Sequence, residues 1–437
     1  MVCLTTVAIL LAGVEGALGA QPIAADLADA NGPAHDWVRP AKELNRELPQ
    51  WIRLDGQFRD RLERFGGIAF HDQQDGHDLT QFRFMTVIEP VPWLQFVGEM
   101  QDSRVFFNRQ IRDVPPYQNT FDIRQAYAQV GDAAEGHIAV TAGRQILSFG
   151  DERLVGPSDW QNMGRTFDVL RLDLHQSWFR LSLFASSVIV ARDDVIDHHN
   201  QGNNLHGAYG QLRRVIPHAV IEPYVFWRVA PGNRKLNEVT VGARIAGRTA
   251  AGLAYDVELV RQSGSLGAAS ISSWAGHWNL ARQFRVWPAP RPFVEANYAG
   301  ATFDPLYPSS HNKLGFADQV GWRNIEQVRA GVSAALGRRW MLTETYEDFR
   351  LASARNALYS SGGAPVVQSP SGSAGRHVGQ EFDLWATWKW NETVEVALGY
   401  ARFFTGKFLN RTTPGKDFNY PFLSLTYNFT PSKSPRK

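Results

Sequence analysis

The constraint that governs this chain is a period of two. From Trp51 onward, apolar residues fall at every second position over stretches of mostly 10 to 14 residues, with charged or polar residues between them. In 51–62, Ile52, Leu54 and Phe58 share one face, and Arg53, Asp55, Gln57, Arg59 and Arg61 share the other. In 378–390, Val378, Phe382, Leu384, Ala386, Trp388 and Trp390 oppose Glu381, Asp383, Thr387 and Lys389. Successive strand side chains point to opposite faces, whereas a helical stripe would recur every 3.6 residues. The longest apolar run, Val7–Val14, has eight residues, although 44% of the 437 residues are hydrophobic. Nothing therefore approaches the ~20 apolar residues of a membrane-spanning helix. Each strand is built to meet two different solvents.

Eighteen candidate strands follow, from 51–62, 79–89, 91–102, 120–131, 137–147 and 165–175 through to 378–390, 393–404 and 419–429. Strands in soluble proteins average about 5–6 residues, whereas a tilted strand crossing a bilayer needs about 9–11. The connections alternate in length. Pro90, 132–136, Gln176, 215–218, 248–251, 337–339 and 391–392 are short; 65–78, 103–119, 148–164, 303–322, 352–377 and 405–418 are long. Short turns at one end and long loops at the other are the pattern of a closed, antiparallel outer-membrane β-barrel. In lipid, every backbone N–H and C=O must be paired within the protein, so the sheet must close on itself. A barrel of about 16–18 strands encloses water, which is what the charged faces require. The even strand count puts both termini at the short-turn, periplasmic end. Trp93, Trp178, Trp227, Trp322, Trp340, Trp388 and Trp390 lie near strand ends, where interfacial aromatic girdles sit.

Outside this region, Ala17-Leu18-Gly19-Ala20 follows an apolar segment, which reads as a secretory signal over 1–20. Residues 21–50 read as a loose leader, 51–429 as the barrel and 430–437 as a tail. The last strand, Leu423-Ser424-Leu425-Thr426-Tyr427-Asn428-Phe429, alternates and ends on Phe. That looks like the signal by which the barrel-assembly machinery recognises its clients. The lone Cys3 excludes a disulfide framework and a cysteine-ligated metal. A net charge of +2 argues against a dedicated nucleic-acid binder. His198-His199 with Asp193, Asp194 and Asp197 reads as a solvated loop, not a metal site, and no hydrolase or phosphate-loop motif is present. No cofactor and no catalytic residue is expected.

The stretch Ile123–Leu174 is the most distinctive. It holds Gln125-Ala126-Tyr127, Gly143-Arg144-Gln145, Gly150-Asp151-Glu152-Arg153-Leu154-Val155-Gly156, Asp159-Trp160, Asn162 and Gly164-Arg165-Thr166-Phe167-Asp168. This block resembles the alginate export family of outer-membrane barrels. The resemblance implies an 18-stranded barrel with a polar lumen and passive export of a polysaccharide, alginate in the best-known members. It also implies outer-membrane lipid, the cargo and a periplasmic export scaffold as partners. A porin taking up oligosaccharides or carboxylates is the first alternative, and a membrane-embedded hydrolase the second.

Residues 148–164 form the third external loop, which in porin-like barrels can fold inward. Arg144, Asp151, Arg153, Arg165 and Asp168 are expected to form one ion-paired cluster pinning it, with Glu152, Asp159 and Trp160 in the same constriction. Strict alternation puts Arg144 and Asp168 on the lipid side, which predicts a rim position or a bulge at Gly143. Ten basic inward positions, including Arg53, Arg59, Arg61, Arg83, Arg228, Arg244 and Arg329, stand against twelve acidic ones, including Glu99, Glu258 and Glu344. The lumen thus carries both signs. Arg53, Arg59, Arg61 and Arg83 form its best basic patch, suited to carboxylates by the planar guanidinium fork.

Overall fold

A computed structural model describes residues 40–109, 115–131, 137–193, 195–232 and 235–429. The signal segment 1–20 and the tail 430–437 lie outside the described residues. Within the expected leader, Pro40–Glu47 forms a helix, α1. The Asn45 side chain accepts a hydrogen bond from Leu54 N (2.7 Å) and donates one to Leu54 O (2.8 Å), docking α1 on the first strand.

Eighteen strands follow one for one the segments read from the alternation. They are β1 (Ile52–Gly66), β2 (Gln74–Val91), β3 (Leu94–Phe106), β4 (Asn119–Gly131), β5 (Ile138–Gln145) and β6 (Phe167–His175). Next come β7 (Phe179–Val190), β8 (His198–Arg213), β9 (Ala219–Ala230), β10 (Leu236–Arg248), β11 (Leu253–Leu266) and β12 (Ala269–Arg282). The ring finishes with β13 (Arg291–Ala299), β14 (Ile325–Leu336), β15 (Trp340–Leu351), β16 (His377–Lys389), β17 (Val394–Thr405) and β18 (Phe418–Asn428). Each pairs antiparallel with its sequence neighbours, and β18 pairs with β1 from Gln57↔Asn428 to Gly66↔Asn419. The sheet is therefore a closed barrel. Loop lengths depart from strict alternation at one place above all: β11 and β12 are joined at the long-loop end by residues 267–268 alone.

The period of two sorts the two solvents. In β1, Arg59, Arg61 and Glu63 are buried in the lumen while Leu62 is exposed on the outer wall. Leu170, Val241, Leu259, Val328, Leu398 and Leu423 extend that exposed apolar belt. Trp93, Trp178, Trp340 and Trp390 are exposed at the short-turn end, with Trp340 and Trp388 stacked at 5.6 Å. Two expectations fail. Trp322 is no girdle residue: it is buried in the lumen, its Nε1 donating to Tyr298 O at 3.1 Å. Glu344 faces outward, because β15 pairs it between Val332 and the exposed Leu384.

The inner face is not uniformly polar either. Phe184, Tyr209, Tyr224, Phe226, Phe349, Phe403 and Phe422 point inward and pack against Leu154, Val155, Phe303, Leu314 and Phe316 from two infolded loops, 146–166 and 300–324. Where loops exclude water, apolar inward residues gain about 1.5–3 kcal/mol each on burial. The core of this protein thus lies inside the barrel. A small helix, α2 (Lys407–Thr412), caps it at the long-loop end through Phe408 and Leu409.

The closing seam depends on one glycine. Phe429 N donates to Gly56 O at 2.8 Å, and a Cβ on Gly56 would meet the Phe429 ring at 2.6 Å and Arg83 O at 2.7 Å. The terminal ring lies in the notch that the missing side chain leaves. Gly56→Leu is expected to impair closure, read as a loss of the heat-modifiable gel band, whereas Gly98→Leu, with open space around it, leaves that band intact.

Candidate functional site

The lumen narrows where loop 146–166 crosses it. On one side stands a wall of arginines and amides from β1 to β4. Arg59 Nη1 donates to Asp159 O (2.7 Å) and its Nη2 to Gln161 O (3.1 Å). Arg61 Nη1 donates to Trp160 O (2.6 Å), and its guanidinium lies 4.0 Å over the Trp160 ring. Gln101 Nε2 reaches Met163 O (2.8 Å), and Ser103 Oγ reaches Asn162 O (2.7 Å). The wall thus reads the loop through its carbonyl oxygens, and Asp159 adds a carboxylate. Arg83 Nη2 (3.0 Å) and Arg124 Nη2 (2.7 Å) both engage Asp159 Oδ1. Burial opposes the charge on Asp159, but these two guanidinium groups outweigh burial and hold its carboxyl below the usual range.

Arg124 is the residue that alternation misses. Parity places it with Ala126 and Val130, facing lipid. The β3–β4 register slips between Glu99 and Met100, so that Glu99 opposes Gln125 and Met100 opposes Ile123. Arg124 is the extra residue of this bulge and turns inward, with Nη1 on Glu99 at 2.8 Å. An arginine at a lipid-facing position was itself the available signal, since that placement costs about 2–4 kcal/mol at mid-bilayer.

The opposite wall, β13 to β16, is acidic. It carries Glu295, Glu347, Glu381 and Asp383 around Arg329, whose Nε sits 2.9 Å from Glu347. Loop 146–166 meets it with a cation: Arg153 Nη2 lies 2.8 Å from Glu295, and Arg153 Nε lies 3.1 Å from Asp151. Loop 300–324 meets it with amides: Ala317 N donates to Glu381 (2.7 Å) and Phe316 N to Asp383 (3.2 Å). The two loops also join each other. Gly156 N donates to Tyr307 O (2.9 Å) and Tyr307 N to Leu154 O (2.8 Å). The Trp160 and His311 rings stack at 3.9 Å, within 1° of parallel.

The expected single cluster is not formed. Arg144 and Asp168 pair with each other (3.1 Å) on the outer face at the long-loop rim, where Asp168 also meets His199 (3.1 Å). Asp151 and Arg153 belong to the inner, acidic side. Among the described residues, Arg165 has no carboxylate partner; it donates to Pro308 O (3.0 Å) and lies over Tyr307 (5.6 Å), and burial pulls its guanidinium down to about 10. Glu152 accepts from Ser148 Oγ (2.7 Å). Of the remaining lumen residues, Arg228 pairs with Asp304, and Arg244 with Glu222 and Asp256. Glu258 accepts from Tyr224 (2.6 Å). Arg53 is exposed at the short-turn end, away from the constriction. Among the described residues, no grouping of His, Asp and Glu could hold a metal ion.

The sequence profile of the alginate export family matches residues 50–422. No curated protein matches the chain. Solved structures of several Pseudomonas aeruginosa proteins share the fold. OccK8 (OprE) superposes with a TM-score of 0.60 at 8% identity, covering 87% of this chain and 98% of its own. OpdK gives 0.60 at 11% identity, covering 86% and 98%, and OpdO gives 0.59 at 12%, covering 88% and 98%. With the closed barrel and its apolar belt, these matches place the chain in the bacterial outer membrane as a pore.

Two expectations follow from the anchoring contacts. Arg153→Ala leaves the buried Glu295 carboxylate with the Asn297 amide (2.8 Å), His277 (3.5 Å) and a more distant Arg329 (3.8 Å), without its closest guanidinium. The cost is about 3 kcal/mol, at the low end for breaking a buried pair, and is read as increased protease access to loop 146–166. Burial alone would raise the Asp151 carboxyl, but Arg153 and Lys313 hold it down at about 2. A depressed carboxylate contributes stability above its ordinary pKa near 4, lost as pH falls toward 2. Conductance is therefore expected to be level from pH 7 to about 4 and to rise below that, in the window where Asp151 and Asp159 take up protons.

Proposed function

The chain belongs to the alginate export family, and from that premise we propose that it is a passive outer-membrane conduit for an anionic polysaccharide. The observation that carries this reading is the Asp159 carboxylate held between Arg83 and Arg124. The loop supplies the same chemical group that a uronate chain would present. Arginine forks recognise carboxylates through charge-assisted hydrogen bonds, so a cargo carboxylate competes with Asp159 for the same donors.

The competition has a direction. Arg59 holds main-chain carbonyls, which are neutral acceptors and weaker partners than a carboxylate; Arg61 holds the Trp160 carbonyl through Nη1 while its Nε pairs with Glu63 at 2.7 Å. A polyanion that replaces Asp159 on Arg83 and Arg124 also draws on Arg59 and Arg61, and each exchange loosens the loop from that wall. A neutral glycan offers no such replacement. Transport needs no energy input from the barrel: the polymer moves down its own gradient, passing from one arginine to the next.

Planar-bilayer recording tests this. A polyuronate is expected to block single-channel current in the wild-type protein, and a neutral glycan of equal length is not. Arg83→Gln with Arg124→Gln is expected to weaken polyuronate block by tenfold or more, since a charged hydrogen bond contributes about 1.5–3 kcal/mol. Equal block by both glycans in the wild-type pore would overturn the proposal.

A further inference from the structure

The short-turn end, which faces the periplasm in such barrels, is electrically lopsided. Four successive turns on one arc join β8 to β9, β10 to β11, β12 to β13 and β14 to β15. In that order they carry Arg213 and Arg214, then Arg248, then Arg282 and Arg291, then Arg338 and Arg339. Across 212–220, 247–255, 281–293 and 336–343 there is no Asp or Glu. Glu89 and Glu392, by contrast, stand at the β2–β3 and β16–β17 turns.

The arginines of the constriction are matched to carboxylates or carbonyls. Those of the arc form no ion pair with a described residue, and most are exposed. Paired strands lie about 4.8 Å apart, so neighbouring turns are roughly 10 Å from one another, close to the screening length at physiological salt. Arg248 and Arg291 are near enough to repel each other. A surface of one sign bears this self-repulsion until an outside anion relieves it.

The arc also lies where the lipid-facing wall ends. Arg282 continues the outward row of Trp278 and Leu280, and Arg338 and Arg339 sit between the exposed Leu336 and Trp340. The same turns expose apolar side chains: Val215 and Ile216 in one, and in another Val286 and Trp287, which are 68% and 81% exposed. A hydrophilic polymer has no use for a bare indole and valine. A bilayer surface does, because tryptophan and arginine both place an apolar body in the acyl region and a polar tip among the headgroups. A headgroup phosphate also fits the guanidinium fork.

We propose that this arc is a docking surface for anionic phospholipids of the periplasmic leaflet, the arginines holding headgroup phosphates and Val286 and Trp287 entering the acyl boundary. The inference stands independently of what the pore carries. It gives the barrel one arc of retained lipid at its periplasmic rim and none on the opposite arc.

The test uses the full-length protein in neutral detergent, given equal amounts of phosphatidylglycerol and phosphatidylcholine, with retained lipid counted by native mass spectrometry. Phosphatidylglycerol is expected to be retained tenfold or more over phosphatidylcholine, and the preference to shrink as salt rises. Arg282→Gln/Arg338→Gln/Arg339→Gln is expected to bring the two lipids near parity, since each surface arginine contributes about fivefold. Arg64→Gln, which alters an exposed arginine at the long-loop end, is expected to keep the full preference. Trp287→Ser is expected to weaken retention of both lipids alike. The heat-modifiable gel band shows that each variant is folded. Equal retention of both lipids by the wild type, or an undiminished preference in the triple variant, overturns the proposal. Binding of a soluble polyuronate at this arc without retention of phosphatidylglycerol overturns it too, and makes the arc a collector of polymer.

Discussion

Everything in this structure depends on the requirement that backbone polar groups be paired inside lipid. A strand in a bilayer has no water to fall back on, so β18 must find β1 and the sheet must close. Closure creates an inside, and the inside must be filled, because the period of two sends charged side chains there. Small barrels fill the interior with side chains alone. An 18-stranded ring is too wide for that, and here two loops enter and supply the missing volume. The hydrophobic core is consequently assembled from loop residues such as Leu154, Val155, Phe303 and Phe316 against inward aromatics. The outer wall, where most apolar strand residues lie, faces lipid and forms no core.

The lumen has two electrical sides, and each loop is matched to what it meets. The arginine wall of β1 to β4 takes up carbonyl oxygens and the Asp159 carboxylate; the carboxylate wall of β13 to β16 takes up Arg153 and the amides of Phe316 and Ala317. One peptide loop can satisfy both walls because a peptide carries acceptors and donors together. Near-neutral net charge is therefore compatible with strong local fields. What matters for a charged cargo is the separation of the signs across the pore, not their sum.

The sequence makes the architecture legible because alternation is imposed residue by residue by the two solvents. All eighteen strands and their order follow from it. It fails where geometry departs from strict pleating or where burial has another cause. Arg124 lies in a bulge, which inverts its face without changing its neighbours in sequence. Glu344 follows the outward parity of Leu342 and Tyr346, which its charge concealed. Trp322 resembles a girdle residue by position but lies in a loop that turns inward. The motif block spans the loop that meets both lumen walls. It could not show that Arg144 and Asp168 sit on the outer rim while Arg153 crosses to Glu295, because contacts between distant strands leave no local pattern.

The link between the two infolded loops has a bearing on the order in which the molecule comes into being. One loop hangs between β5 and β6, the other between β13 and β14, on opposite arcs of the ring. Their junction, the Gly156–Tyr307 amide exchange and the Trp160–His311 stack, spans that diameter. Neither half can reach the other from an open sheet. The obstruction in the channel is thus a contact between distant arcs of the wall, in place only when the ring around it is closed.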